Sequence, residues 1–274
     1  MDKCLVVIPT YNEKENIVAL IEAIQKQGQE FDVLVVDDNS PDGTGQIVDE
    51  LVEKSRGDIH VLHRSGKLGL GTAYMDGFRY GLERGYDYLF EMDADFSHKP
   101  EYLPQLLAAA KQSGVAAGSR LIAGGGVENW PWYRKLISRG GSLYSRAVLG
   151  LKVHDCTGGF KCFSRAALQV LNLPENVRST GFGFQVEVNC LCEWNGFEIT
   201  EVPIIFPDRV RGKSKMNQKI FFEALLNVWK LRASRKEHLV STEGSRRPVF
   251  PADGSFESIG SPADAGEWRG NAGY

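Results

Sequence analysis

No apolar run in this 274-residue chain reaches the ~18 residues a helix needs to cross a bilayer. The opening run CLVVI, residues 4–8, is also far shorter than the core of a secretory leader, and it passes straight into the polar PTYNE. The expected setting is the cytosol, with any membrane contact peripheral. Cysteine is scarce: five residues, at 4, 156, 162, 190 and 192, with no CxxC pair and no His/Cys cluster at zinc spacing. That pattern argues against a disulfide framework and for small buried thiols in a reducing compartment. A basic excess is missing too. The net charge is −3, so no broad cationic field points to nucleic acid. There is no internal repeat. A hydrophobic fraction of 42% suits a globular core.

What is present is an alternation of short apolar runs and amphipathic segments. Strands are expected at 4–8, 32–38, 59–63, 86–93 and 115–119. Helices are expected at 12–28, after residue 40 with Val48, Leu51 and Val52 inward, from the glycine-rich loop 64–72 to Gly85, and at 100–112. Continuous apolar strands alternating with helices predict a mostly parallel α/β sheet, Rossmann-like, covered on both faces. Ligands of such sheets collect beyond the carboxyl ends of the strands. The polar clusters PTYNE, DDNSPDGT, RSGKLGLG, DADFSH and GSR all follow strand ends, which predicts one site on one rim.

Beyond residue 130 the pattern changes. A helix mixing aromatic and basic residues spans 130–151, a short strand 158–164, a helix 182–196, an alternating strand 197–206 and a closing helix 217–234. Residues 236–274 are polar, rich in Gly, Ser and Pro, and expected to be a disordered tail.

The stretch FEMDADFSHKP sets Asp93 and Asp95 two apart at a strand end. On an extended chain the two carboxylates point the same way and repel, unless a cation or proton lies between them. Mg²⁺ or Mn²⁺ takes such a pair together with phosphate oxygens. A helix cap plus a solvated carboxylate is the alternative for the two residues alone. GKLGLG lacks GxGxxG spacing and follows the third strand, which disfavours a dinucleotide oxidoreductase.

Seven ordered motifs together resemble the polyprenol-phosphate (dolichol-phosphate) mannosyltransferases of glycosyltransferase family 2: VVIPTYNE, VVDDNSPDGT, GLGTAYMDGF, MDADFSH, GSR, TGGFKCF and EVPIIFPDRVRGKSK. The resemblance covers about residues 3–232. It implies a GT-A fold over 1–235, with a donor half to about 120 and acceptor-side elements from 121. It implies GDP-mannose bound through Pro9, Tyr11, Glu13, Val36 and Asp38. Asp93, Ala94 and Asp95 would grip Mg²⁺ or Mn²⁺ and the diphosphate. Arg120, Arg209 and Lys215 would act on phosphates, and with Asp95 they form the expected catalytic set. Arg134 and Ser138 match acceptor-phosphate positions. Some relatives carry a metal-binding Gln where this chain has Ser97; a water or an approaching His98 are the two substitutes, and a histidine placed like His98 is more often a loop cap or a residue behind the ligands than a ligand.

The implied acceptor is a polyprenyl or dolichyl monophosphate, already an oxyanion at neutral pH, so no general base is expected. The implied place is the cytosolic face of a membrane, reached directly or through a small membrane subunit. The helix near 132–150 fits a membrane surface or a core position closing the sheet edge. A UDP-sugar-dependent transferase and a non-catalytic sugar-nucleotide-binding protein are the competing readings.

Overall fold

Strand β1 (Cys4–Thr10) is apolar along most of its length and fully covered from Cys4 to Ile8. A strand without a polar face needs cover on both sides. Alternate residues supply the two contacts: Leu5 and Val7 join the cluster holding Tyr74, Phe78, Phe184 and Val188. Val6 and Ile8 join that of Ile17, Leu20, Val48 and Leu106. The computed structural model describes residues 2–28, 31–179, 181, 183–207 and 218–239.

Around β1 lie β2 (Phe31–Asp37), β3 (Ile59–His63), β4 (Tyr88–Glu91), β5 (Val115–Ser119), β7 (Lys161–Ser164) and β8 (Ile199–Pro203). The sheet runs β3-β2-β1-β4-β7-β5-β8. Neighbours are parallel except β7, which is antiparallel to both β4 and β5. Helices α1 (Ile17–Gln25), α2 (Thr44–Lys54) and α4 (Leu103–Ser113) supply one face. Helices α3 (Leu70–Glu83) and α8 (Phe184–Trp194) supply the other. α3 lies close on the sheet because Gly77 and Gly81 face it, where a Cβ would overlap Val7 or Leu89.

The strand order reverses at β1, whose sequence neighbour β2 lies on one side and β4 on the other. A crevice opens beyond the carboxyl ends of two strands that diverge in this way. Tyr11 follows β1 and Asp93 follows β4, so both reach that crevice.

Several elements depart from expectation. α1 begins at Ile17 because residues 12–16 form a turn, with Asn12 at φ +63° and the Glu13 carbonyl accepting from the Asn16 and Ile17 amides. The apolar run 197–206 is two strands. β8 ends at Pro203, and β9 (Ile205–Phe206) leaves the main sheet to pair with β6 (Gly126–Val127). Ile204 is the pivot: its amide donates to the Ser119 carbonyl and its carbonyl accepts from Gly126. Helices α6 (Arg165–Leu171) and α7 (Leu173–Asn176) were not foreseen; Ser164 caps α6 through its hydroxyl.

α5 (Trp132–Leu149) packs against α9 (Gln218–Ala233). α5 buries only Ser142, Ser145 and Leu149, so it is not a core helix. Order also extends past residue 235. Arg235–His238 is a 3-10 turn, with His238 buried and its Nε2 3.1 Å from Glu187 Oε1. Arg209 and Lys215, and the tail from residue 240, lie outside the described residues.

Candidate active site at the carboxyl rim

At the ends of β1 and β2, the two adjacent aspartates divide their roles. Asp37 Oδ1 accepts from Thr10 Oγ1 (2.9 Å) and Ser40 Oγ (2.6 Å), and its Oδ2 from the Ser40 amide (3.0 Å). Asp37 therefore ties the two strand ends together. Asp38 is buried beside Arg64, whose Nε is 3.3 Å from its Oδ1 but not aligned for a hydrogen bond. Burial pushes the Asp38 carboxyl up from its ordinary pKa, and the Arg64 charge pulls it back down. Arg64 Nη2 donates to Thr72 Oγ1 at 2.7 Å, while its Nε and Nη1 have no hydrogen-bond partner.

Tyr11 is exposed, with Lys67 Nζ 4.3 Å from its ring centre. Pro9 and Glu13 are half-buried; Glu13 Oε2 accepts from Asn16 Nδ2 and its amide donates to Thr44 Oγ1. Val36 is the exception among the expected donor residues. β2 runs one residue further, to Asp37, so the Val36 side chain alternates into the core.

β4 stops at Glu91, and the acidic pair sits past it. Asp95 lies in a turn, so an extended chain does not explain how the two carboxylates are aimed. Side chains from the same loop and from α3 hold them instead. The Asp93 amide donates to His98 Nδ1 at 2.9 Å, and Tyr74 Oη donates to Asp93 Oδ1 at 3.2 Å. Asp95 Oδ1 accepts from the Ser97 amide at 3.1 Å and from the Ser97 hydroxyl. Phe96 takes φ +60° to allow the turn. Ala94 is buried at its centre. Ser97 thus holds Asp95 and His98 holds Asp93. Among the described residues no group of three or more His, Cys, Asp or Glu side chains could hold a metal. An ion at Asp93 and Asp95 would draw its other ligands from a bound diphosphate and water, a donor set that suits Mg²⁺ or Mn²⁺.

Beneath the pair, Gln185 Nε2 donates to Glu91 Oε2 at 2.9 Å, and Lys161 Nζ donates to Gln185 Oε1 and the Gly158 carbonyl. Burial pushes the Glu91 carboxyl up to about 7, against the pull of Lys161 and Gln185. Burial also lowers the Lys161 ammonium, against the opposing charge of Glu91.

Just past β5, Arg120 meets a partner that sequence reading missed. Its Nε and Nη2 donate to Asp155 at 2.6 and 2.7 Å, and Nη2 also to Thr157 Oγ1 at 2.8 Å. Burial alone would raise the Asp155 carboxyl; the Arg120 charge and hydrogen bonds bring it below the usual range. Much of the guanidinium expected to face a phosphate is therefore engaged by a carboxylate. Arg134, on the first turn of α5, places Cζ 3.7 Å over the Trp130 ring. Ser138 lies one turn further along and is half-buried like Arg134. Trp130 meets Phe206 edge-on at 5.7 Å, and Phe206 meets His98 at 5.6 Å. Touching rings thus connect the acidic loop to Arg134.

The structure gathers Pro9, Tyr11, Glu13, Asp38, Asp93 and Asp95 on the rim; Arg120 and Arg134 lie against the Trp130 ring, and Ser138 is one turn beyond Arg134. Arg64, Asp155 and the Glu91–Gln185–Lys161 group were missed. Arg64 stands in a loop already marked as polar, and Glu91 and Lys161 stand inside quoted motifs without being singled out, whereas Asp155 and Gln185 carry no local signal.

The family model for glycosyl transferase family 2 matches residues 5–171. The chain is 44% identical over 233 residues to the polyprenol monophosphomannose synthase of Mycolicibacterium smegmatis, covering 84% of this chain and 88% of that protein. It is 47% identical over 233 residues to the undecaprenyl-phosphate mannosyltransferase of Micrococcus luteus, covering 84% and 95%. It is 38% identical over 232 residues to the dolichol-phosphate mannosyltransferase of Pyrococcus furiosus, covering 84% and 63%. Among solved structures, glucosyl-3-phosphoglycerate synthase from Mycobacterium tuberculosis with Mn²⁺, UDP-glucose and phosphoglyceric acid superposes with a TM-score of 0.59 at 17% identity, over 85% of this chain and 79% of that one. At that identity the likeness is one of GT-A fold. A rim of this design on this sheet, matched at these identities, makes the chain a member of glycosyltransferase family 2, among its polyprenol-phosphate mannosyltransferases.

Proposed function

We propose that the protein transfers mannose from GDP-mannose to a polyprenyl or dolichyl monophosphate, giving polyprenyl β-D-mannosyl phosphate. The carrying observation is the rim itself: an acidic loop locked at the switch point, joined through His98, Phe206 and Trp130 to a cationic face at Arg134. The relatives' names support mannose and a polyprenyl phosphate. Guanine as the base is supported by Asp38, whose buried Oδ1 has no hydrogen-bond partner. Guanine offers a carboxylate two adjacent donors, N1–H and the 2-amino group; uracil offers one.

Mg²⁺ or Mn²⁺, bound by Asp93 and Asp95, would offset the negative charge that grows on the departing diphosphate. Tyr11 covers the base and Glu13 the polar edge of the nucleoside. Arg134 and Ser138 seat the acceptor phosphate, with Arg120 fixed beside them by Asp155. Arg209 and Lys215 supply further cations to the diphosphate. A phosphate oxygen of the acceptor attacks the anomeric carbon as the bond to the diphosphate breaks, and the configuration inverts. The nucleophile is already an anion, so no side chain need remove a proton; the site must instead offset repulsion between two anions.

We place the protein peripherally on the cytosolic face of a membrane. Among the described residues no helix is long and apolar enough to cross one. α5 exposes Trp132, Tyr133, Leu136, Ile137 and Leu143, and the adjoining α9 exposes Leu226 and Trp229. Contact is direct through this ridge or shared with a small membrane subunit. Purified protein offered GDP-mannose and UDP-glucose with a panel of polyprenyl phosphates tests the reading. Mannosyl-lipid formed from GDP-mannose supports it. A preference for UDP-glucose would install the competing transferase, and nucleotide binding without turnover would install a binding protein.

A further inference from the structure

We infer that His98 is a positioning residue for the transfer reaction, setting the aim of Asp93 by accepting the hydrogen bond of its backbone amide. The inference rests on the proposed binding of a divalent ion and diphosphate at Asp93.

The sheet ladder ends one residue too early to fix Asp93. Just past β4, the Met92 amide still donates to the Val7 carbonyl at 3.1 Å, on the β1 side, so the Asp93 amide turns to the opposite side, where no sheet carbonyl takes it. The next amide, that of Asp93, donates to His98 Nδ1 at 2.9 Å. An imidazole nitrogen thus takes over where a strand carbonyl would otherwise stand. The bond fixes the backbone from which the Asp93 side chain projects, and Tyr74 Oη then holds one carboxylate oxygen. The Asp93 side chain remains 31% exposed, so a ligand can reach it.

The ring is closely packed. His98 is buried, stacked on Phe160 at 4.8 Å and met edge-on by Phe206 at 5.6 Å. A Cβ at Gly159 would sit 3.6 Å from His98 Cε1, so even that edge is closely flanked. Because Nδ1 accepts from an amide, the ring proton resides on Nε2, and a doubly protonated ring could not make this bond. Burial lowers the pKa of the imidazole against the raising effect of Asp93 and Asp95, which agrees with a neutral ring. Residues that orient metal ligands without touching the metal commonly change affinity or activity by about 10- to 100-fold when replaced.

Two near-isosteric replacements separate this role from simple packing. In His98→Asn the amide oxygen falls where Nδ1 was and still accepts; in His98→Gln it falls near Nε2 and does not. Both variants, with His98→Phe as a ring-conserving third, are melted to establish folding. Mn²⁺ binding in the presence of GDP is then measured by electron paramagnetic resonance, alongside kcat/KM for GDP-mannose and KM for the lipid phosphate. His98→Gln and His98→Phe are expected to weaken Mn²⁺ binding and lower donor kcat/KM by about 10- to 100-fold, with lipid-phosphate KM little changed. His98→Asn is expected to recover most of both. A folded Gln or Phe variant with wild-type Mn²⁺ affinity overturns the inference, as does an Asn variant no better than Gln. Wild-type protein that binds no Mn²⁺ with GDP would remove the metal site and the inference together, whereas failure of the variants alone leaves the proposed function standing.

Discussion

A buried guanidinium needs a counter-charge, and Arg120 has one in Asp155, itself 1% exposed. Removing one partner of such a pair strands the other charge away from water. Asp155→Asn is therefore expected to lower stability by about 3–5 kcal/mol, read from denaturant unfolding. The pair also shapes acid behaviour. The folded carboxyl is held below its ordinary value, so its stabilising contribution is complete above about pH 4 and is lost as pH falls through the lower folded pKa. The wild type should lose stability more steeply than Asp155→Asn over that acid range. Residues such as Asp93, Asp95 and Asp38 were legible because their motifs are local and follow apolar strands. Asp155 was not, because it meets Arg120 from 35 positions away and nothing between them marks the pairing. His98 was legible as a ligand substitute or a residue behind the acidic pair; its contact with the Asp93 amide was not, because it depends on the turn folding back.

Among the elements, α5 and α9 stand apart. A helix in a globular core hides its large apolar residues, yet Trp132, Leu136 and Leu143 are more than half exposed on α5, and Leu226 and Trp229 on α9. If this ridge meets lipid, sedimentation with anionic vesicles should carry down the wild type. Trp132→Ser combined with Trp229→Ser should release it, while GDP-mannose binding stays unchanged. Equal sedimentation of both proteins would contradict a direct membrane contact. The aromatic and basic composition of α5 was legible in sequence; its exposure was not, since core and surface readings share the same apolar spacing. β7 was foreseen as a strand but not as one running against its neighbours, because direction depends on how the chain re-enters the sheet. The split of 197–206 at Ile204 was hidden for a related reason. The run looks continuous, and the chain's change of partners shows only in the Ile204 backbone, whose amide bonds to Ser119 and whose carbonyl bonds to Gly126.

At the scale of the whole molecule, one topological fact organises the site. β1 lies between β2 and β4, so the loops after β1 and β4 diverge around a crevice and set Tyr11 and Glu13 against an acidic loop. The mostly parallel sheet was legible because its strands are apolar throughout and alternate with helices. The seven-strand order was not, since sequence alone does not say on which side of β1 each later strand is added. The central claim is that Asp93 and Asp95 work as a pair around a divalent cation to let one anion pass mannose to another. The most direct measurement is the rate of mannosyl-lipid formation from GDP-mannose by wild type, Asp93→Asn and Asp95→Asn, each with EDTA and with Mn²⁺ restored. The account predicts that EDTA silences the wild type, that Mn²⁺ restores it, and that each variant loses about 100-fold or more even in Mn²⁺. Transfer that continues in EDTA, or a variant that keeps the wild-type rate, would contradict it.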